Sequence, residues 1–188
     1  TKAIRLAEET GVLVTIATGR RFRDARPVAL EAEFNAPLIT HNGALLKFAE
    51  SLETVEFSLI NAETSLEILR VGREFGGDAL VSTNPHTKGT LLYDTLSESN
   101  IPLQKYIAWS KTFHGTEAEE AVHHVPNLVE VLPESEVIHI SFSGNCASMY
   151  EIETILKSEL QDTVNIMATI YPHLDFTLLD ILPPDASK

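Results

Sequence analysis

The chain has 188 residues, 44% of them hydrophobic and 22% charged, which is globular and neither disordered nor collagen-like. With 14 Lys and Arg against 27 Asp and Glu it carries −13, a poor match for general nucleic-acid binding. One cysteine, Cys146, excludes an internal disulfide framework and a cysteine-rich zinc site, and no apolar run approaches the roughly 18 residues of a membrane span.

In chain order, residues 1–10 read as a helix ended by Gly11, and Val12 to Ala17 reads as a buried parallel strand, apolar and rich in β-branched residues. Thr18-Gly19-Arg20 follows at its C-terminal end. Phe22 to Phe34 is helical in composition, with Pro27 as a kink or late start, and Ala36-Pro37 breaks it. Leu38 to Thr40 is a short strand leading into His41-Asn42-Gly43. Strand, helix and strand predict a right-handed βαβ unit, and residues 43–60 a hairpin with arms at 45–48 and 55–60. From Asn61 the texture changes. Residues 62–75 form an amphipathic helix closed by Gly76-Gly77, and 79–82 and 90–93 are strands around a Pro/Gly loop. Residues 97–108 and 115–130 read as short helices and loops. Strands at 137–142, 163–169 and 176–181 with a helix at 148–160 complete an α+β half, its helices expected on one face of an antiparallel sheet. On the strand at 137–142, Ile138, Ile140 and Phe142 should share one face and His139 and Ser141 the other.

Charge is uneven along the chain. Residues 1–26 hold Lys2, Arg5, Arg20, Arg21, Arg23 and Arg26 against Glu8, Glu9 and Asp24, a local +3 in an acidic protein. The cluster suggests an anionic ligand near Arg20 to Arg26; a solvated helix face is the plainer alternative. Thr18-Gly19-Arg20 lies where open α/β sheets bind ligands. A hydroxyl, the N–H groups of a Gly turn and a helix N-terminus suit an anion, and Arg20 adds a phosphate contact. Asn42-Gly43 ends the next strand at the same edge, although it is also a common turn dipeptide. No two of the seven histidines have His-x-x-x-His spacing, so a histidine metal site is not expected. Ser143-Gly144 lacks the Gly-x-Ser-x-Gly elbow of a nucleophilic serine, and Gly76-Gly77 lacks the dinucleotide-binding pattern.

Taken together, Ala3 to Arg20 (AIRLAEETGVLVTIATGR), Ala36 to Ala44 (APLITHNGA) and the closing LDILPPDASK at 179–188 resemble the haloacid dehalogenase (HAD) superfamily, in its Cof-type subfamily IIB branch. The resemblance implies a partial Rossmann-like core with a parallel sheet over residues 1–60, a large inserted α+β cap over 61–182, and a return to the core at 183–188. It makes Thr18 the hydroxyl that hydrogen-bonds the transferring phosphoryl group and Lys188 the amine that neutralises nucleophile and phosphate. Gly19, Arg20, Asn42 and Gly43 match positions lining the phosphate end. The implied protein is a Mg²⁺-dependent phosphatase of small phosphorylated metabolites, such as sugar phosphates or phosphorylated cofactors, acting through an aspartyl-phosphate. No nucleic-acid or membrane partner is expected, and the location is expected to be the cytoplasm.

Two of that family's motifs are missing. No Asp-x-Asp occurs, so the nucleophile and general acid are absent, and no Gly-Asp with later acids follows Lys188 to hold Mg²⁺. Both would fall beyond the ends, and the chain starts without Met and stops where a helix would begin. An excerpt of a longer protein is therefore expected, with the Mg²⁺ ligands outside it and no activity of its own. A phosphosugar mutase of the same fold, or a non-catalytic ligand-binding or regulatory domain, are the alternative readings.

Overall fold

The computed structural model describes residues 2–187. Helix α1 (Lys2–Glu9) has no buried residue. It stops at Gly11, whose φ of 82° suits glycine. Helix α2 (Phe22–Ala32) keeps Pro27 inside it, where the missing N–H gives up one bond to the Arg23 carbonyl. Strands β1 (Leu38–Thr40), β2 (Leu45–Lys47) and β3 (Thr54–Phe57) form an antiparallel sheet in that order, as the hairpin expected over 43–60 requires.

The segment before α2 differs from expectation. Residues 12–18 meet β1 through one parallel bridge, Ala17 to Ile39, and two backbone bonds: Ile39 N donates to Ile16 O at 3.0 Å and Thr18 N to Ile39 O at 2.9 Å. Val12 and Leu13 are 50% and 74% exposed. A buried parallel strand needs neighbours on both edges and cover on its faces; this one has a three-residue neighbour on one side. Instead of a ladder, Asn35 Oδ1 accepts from Val14 N at 2.9 Å and Pro37 O from the Thr15 hydroxyl at 2.6 Å.

The second sheet has the order β6-β5-β4-β7-β9-β8. Its strands are β4 (Asp78–Thr83), β5 (Thr90–Tyr93), β6 (Val122–His124), β7 (Val137–Gly144), β8 (Asn165–Tyr171) and β9 (Phe176–Leu182). All neighbours are antiparallel except β5 and β6. Helices α3 (Ala62–Glu74) and α7 (Cys146–Leu160) bury one face, where Ile68, Leu69, Met149 and Ile152 meet Val81, Ile140, Phe142, Leu179 and Ile181. Asn61 and Asn145 cap these helices through Thr64 N and Ser148 N.

The expectation of helices on one face is corrected at the β4–β5–β6 end. There helix α4 (Ile101–His114) covers Leu80, Leu91 and Tyr93 from the opposite side through Leu103 and Ile107. Strands β4 and β5 are apolar on both faces, so both must be covered. The opposite face of β7 and β9 carries His139, Ser141, Ser143 and Asp180, which line a cavity. Short helices α5 (Ala118–Ala121) and α6 (Leu128–Val131) fill the connections.

Ile138 is also corrected. A bulge sets Thr83 opposite Val137 and Ser82 opposite His139, leaving Ile138 unpaired. Ile138 leaves the Ile140 face and joins Phe22, Leu38, Leu45, Leu182 and Ala186 in a second core. That core ties the residues after β9 to the first sheet. Among the described residues no helix is long and apolar enough to cross a membrane.

Candidate active site

Two loops at the edge of the first sheet are stitched together by their backbones. Asn42 N donates to Thr18 O at 3.1 Å and His41 N to Arg20 O at 3.0 Å. Thr18 Oγ1 accepts from Arg20 N at 3.2 Å, which leaves the hydroxyl proton available to an outside acceptor. Helix α2 begins at Phe22, directly after this loop, and turns its positive end toward it.

The Asn42 amide packs on Gly19. A Cβ on Gly19 would lie 2.7 Å from Asn42 Oδ1, so only glycine admits this approach. His41, Asn42 and Gly43 have φ of 50°, 54° and 104°. Two consecutive non-glycine residues in this region carry strain of about 1–3 kcal/mol each, a feature that clusters at functional sites. Behind the turn, a Cβ on Gly43 would be 2.5 Å from Ser187 O. The chain has thus come back to the Asn42-Gly43 turn by its last described residue.

Thr18, Gly19, Arg20 and Asn42 line one end of a cavity of about 680 Å³. The facing wall is the side of the second sheet that carries Ser82, His139, Ser141, Ser143, Thr169 and Asp180, interspersed with Met167, Phe176 and Leu178. Tyr106 and Trp109 of α4 form a side wall, their rings stacked 5.9 Å apart and the stack continued to Phe113 at 5.0 Å. Of the residues expected at the site, the structure brings together Thr18, Gly19, Arg20 and Asn42. Gly43 supports the turn from behind, and Lys188 lies outside the described residues.

The basic cluster divides. Arg21 and Arg23 are buried. Arg21 donates to both Asp24 oxygens at 3.0 Å, to Ala121 O at 2.9 Å and to Ser110 Oγ at 3.2 Å. Arg23 reaches Gly89 O at 2.8 Å and Glu117 at 2.9 Å, and Arg26 the Ala49 carbonyl at 2.7 Å. Burial lowers the Arg23 pKa against the pull of Glu117 and Glu120. These three arginines hold segments together. Arg20, exposed and lining the cavity, is the member placed to meet an anion.

Asp24 also accepts from the Tyr106 hydroxyl at 3.2 Å and pairs with His114 Nε2 at 2.9 Å. Burial, with the Asp24 carboxylate adding to it against Arg21, pushes the Tyr106 phenol up to about 12. His41 is buried 6.2 Å from the His139 ring. Burial first, then the nearby His139 and Arg21, holds its pKa well below the ordinary histidine value. His139 Nε2 lies 2.9 Å from Asp180 Oδ1; a carboxylate only accepts, so this nitrogen carries the proton.

Sequence reasoning placed His139 and Ser141 on a polar strand face but missed Asp180, Trp109 and the Arg21–Asp24 pair. The signal for Asp180 was the alternation along β9, where Phe176, Leu178 and Asp180 share one side. Among the described residues no three His, Cys, Asp or Glu side chains cluster as a metal site needs, so these residues do not fit a Mg²⁺ site.

The family described as haloacid dehalogenase-like hydrolase matches this sequence over residues 1–188. No curated protein matches it. Among solved structures it is similar to a haloacid dehalogenase-like hydrolase from Bacteroides thetaiotaomicron, with TM-score 0.70 and 20% identity over 97% of this chain and 62% of that one. A protein from Thermotoga maritima gives TM-score 0.73 and 18% identity over 100% and 62%. A HAD subclass IIB sugar phosphatase gives TM-score 0.64 and 18% identity over 99% and 62%. The likeness is one of fold, and the chain spans about three fifths of the length of these structures.

Proposed function

Because the chain belongs to the haloacid dehalogenase-like hydrolases, we propose that it forms the substrate-facing part of a cytoplasmic phosphatase of small phosphorylated metabolites. The observation that carries this is the cavity: Thr18, Gly19, Arg20 and Asn42 at one end, a polar sheet face opposite. In this reading the Thr18 hydroxyl and the Gly19 N–H donate to phosphoryl oxygens, and Arg20 adds a charged contact. Residues 61–182 act as the cap that closes over the leaving group, between core segments at 1–60 and 183–188. Lys188, which follows Ser187 in the sequence, is the amine that the family resemblance assigns to neutralising charge on the nucleophile and phosphate. The sugar phosphatase of similar fold makes sugar phosphates the first substrates to try.

The chain contains no Asp-x-Asp, so the attacking carboxylate of an aspartyl-phosphate route has to come from sequence beyond these residues. The requirement for Mg²⁺ rests on the family alone. The test is release of inorganic phosphate from a panel of monophosphates by the protein expressed from its complete gene, beside the isolated 188-residue chain. The complete protein should release phosphate and the isolated chain none. An isomerised sugar phosphate would point to a mutase, and phosphate release by the isolated chain would refute the mapping. Lys188→Ala in the complete protein should lower kcat by about 100- to 1,000-fold, the loss of roughly 2.7–4 kcal/mol that follows removal of one donor to developing charge.

A further inference from the structure

The wall of the cavity formed by the second sheet can be read along its strands. His139 lies nearest the phosphate end, since its ring meets that of His41, the residue before Asn42. Register places Ser82 beside His139, and Asp180 between Ser141 and Met167. One step farther along, Leu178 lies between Ser143 and Thr169. Along β9, then, Asp180 stands closer to the phosphate end and Leu178 farther from it, with Ser143 and Thr169 flanking Leu178.

Among the described charged residues lining the cavity, Arg21 and Asp24 neutralise each other. That leaves Arg20 on the floor and Asp180 on the facing wall. Asp180 has 15% of its side chain exposed, and among the described residues its partner is His139, which binds one oxygen. The other oxygen remains an acceptor at the wall of the cavity.

Resting on the phosphatase reading above, we propose that Asp180 selects the leaving group. It accepts from hydroxyl donors close to the phosphoryl group and turns away a second anion, so the substrate is a monophosphate of a neutral, hydroxylated alcohol rather than a bisphosphate or a phosphorylated acid. A carboxylate held by a neighbouring donor is a directed acceptor. A site built to accept from a hydroxyl discriminates strongly against a ligand that lacks it, because the buried acceptor is then left unpaired. His139 positions Asp180 and has no separate role here.

The test uses the complete protein and compares kcat/KM for a hexose monophosphate, the corresponding hexose bisphosphate and p-nitrophenyl phosphate. Wild type should prefer the monophosphate to the bisphosphate by about 10-fold or more. Asp180→Asn, which keeps the shape and removes the charge, should shrink that preference by about 10-fold, and should lower the hexose monophosphate relative to p-nitrophenyl phosphate. Ratios within one preparation do not depend on how much of a variant folds. A wild type indifferent to the second phosphate, or an Asp180→Asn preference within about twofold of wild type, would overturn the proposal while leaving the phosphatase reading intact. No release from any of the three by wild type would instead overturn the phosphatase reading, and this one with it.

Discussion

Gly19 and Gly43 look alike in the sequence, each a glycine in a turn after a strand, yet the structure gives them different jobs. Gly19 makes room for the Asn42 amide, so Gly19→Ala should displace that amide and depress phosphate release more than it depresses stability. Gly43 combines a φ of 104° with a backbone neighbour that cannot yield. Gly43→Ala should therefore cost about 1–3 kcal/mol of stability, read as a lowered denaturant midpoint. His41 makes a pH prediction. Its pKa in the fold lies well below the ordinary value, so the unfolded chain takes up a proton below about pH 6.5 while the fold keeps the ring neutral. Unfolding then binds a proton, and stability falls as pH drops from about 6.5 toward the lower folded-state value. His41→Asn, with a residue that tolerates positive φ, should lose less Tm between about pH 7.5 and 5.5 than wild type; parallel losses would refute this assignment.

At the scale of elements, α2 shows what a sequence conveys and what it withholds. Its helical composition and its place after the Thr18 loop were legible. The fate of its arginines was not, because a basic cluster reads as solvated or ligand-binding until the partners are known. Those partners lie in α4, α5 and nearby loops, up to 100 residues away, in a stretch with no single hydrophobic period. Asp24 gathers bonds from Arg21, Tyr106 and His114 while almost buried. Removing it leaves a buried guanidinium without its carboxylate, and Asp24→Ala should cost about 3–5 kcal/mol, measured by urea unfolding. A loss under about 1 kcal/mol would mean that the link behaves as an exposed ion pair. The second sheet was more legible, since its β7 to β9 faces alternate cleanly. The exception was Ile138, displaced by a bulge that only the pairing with β4 reveals.

For the whole molecule, the apolar pattern of residues 12–17 pointed to a buried parallel strand, and the structure keeps of it a single bridge from Ala17 to β1 and leaves Val12 and Leu13 exposed. Burial depends on neighbours, and the pattern cannot say whether these are present. The 188-residue chain by itself presents Val12 and Leu13 to solvent next to an edge with few bonds, which invites association. Leu13→Lys should reduce self-association in light scattering with little change in stability. Leu38→Ala, in the buried core beside it, should lose about 2–5 kcal/mol. On the proposed reading, the loops at 18–20 and 42 form the floor on which a phosphoryl group is held, opposite the polar face of the second sheet. Steady-state release of phosphate from a hexose monophosphate by the complete protein, wild type against Thr18→Ala, tests it most directly. The variant should have a kcat about 100-fold lower, the loss of one donor to developing charge. A Thr18→Ala enzyme working at the wild-type rate would contradict it.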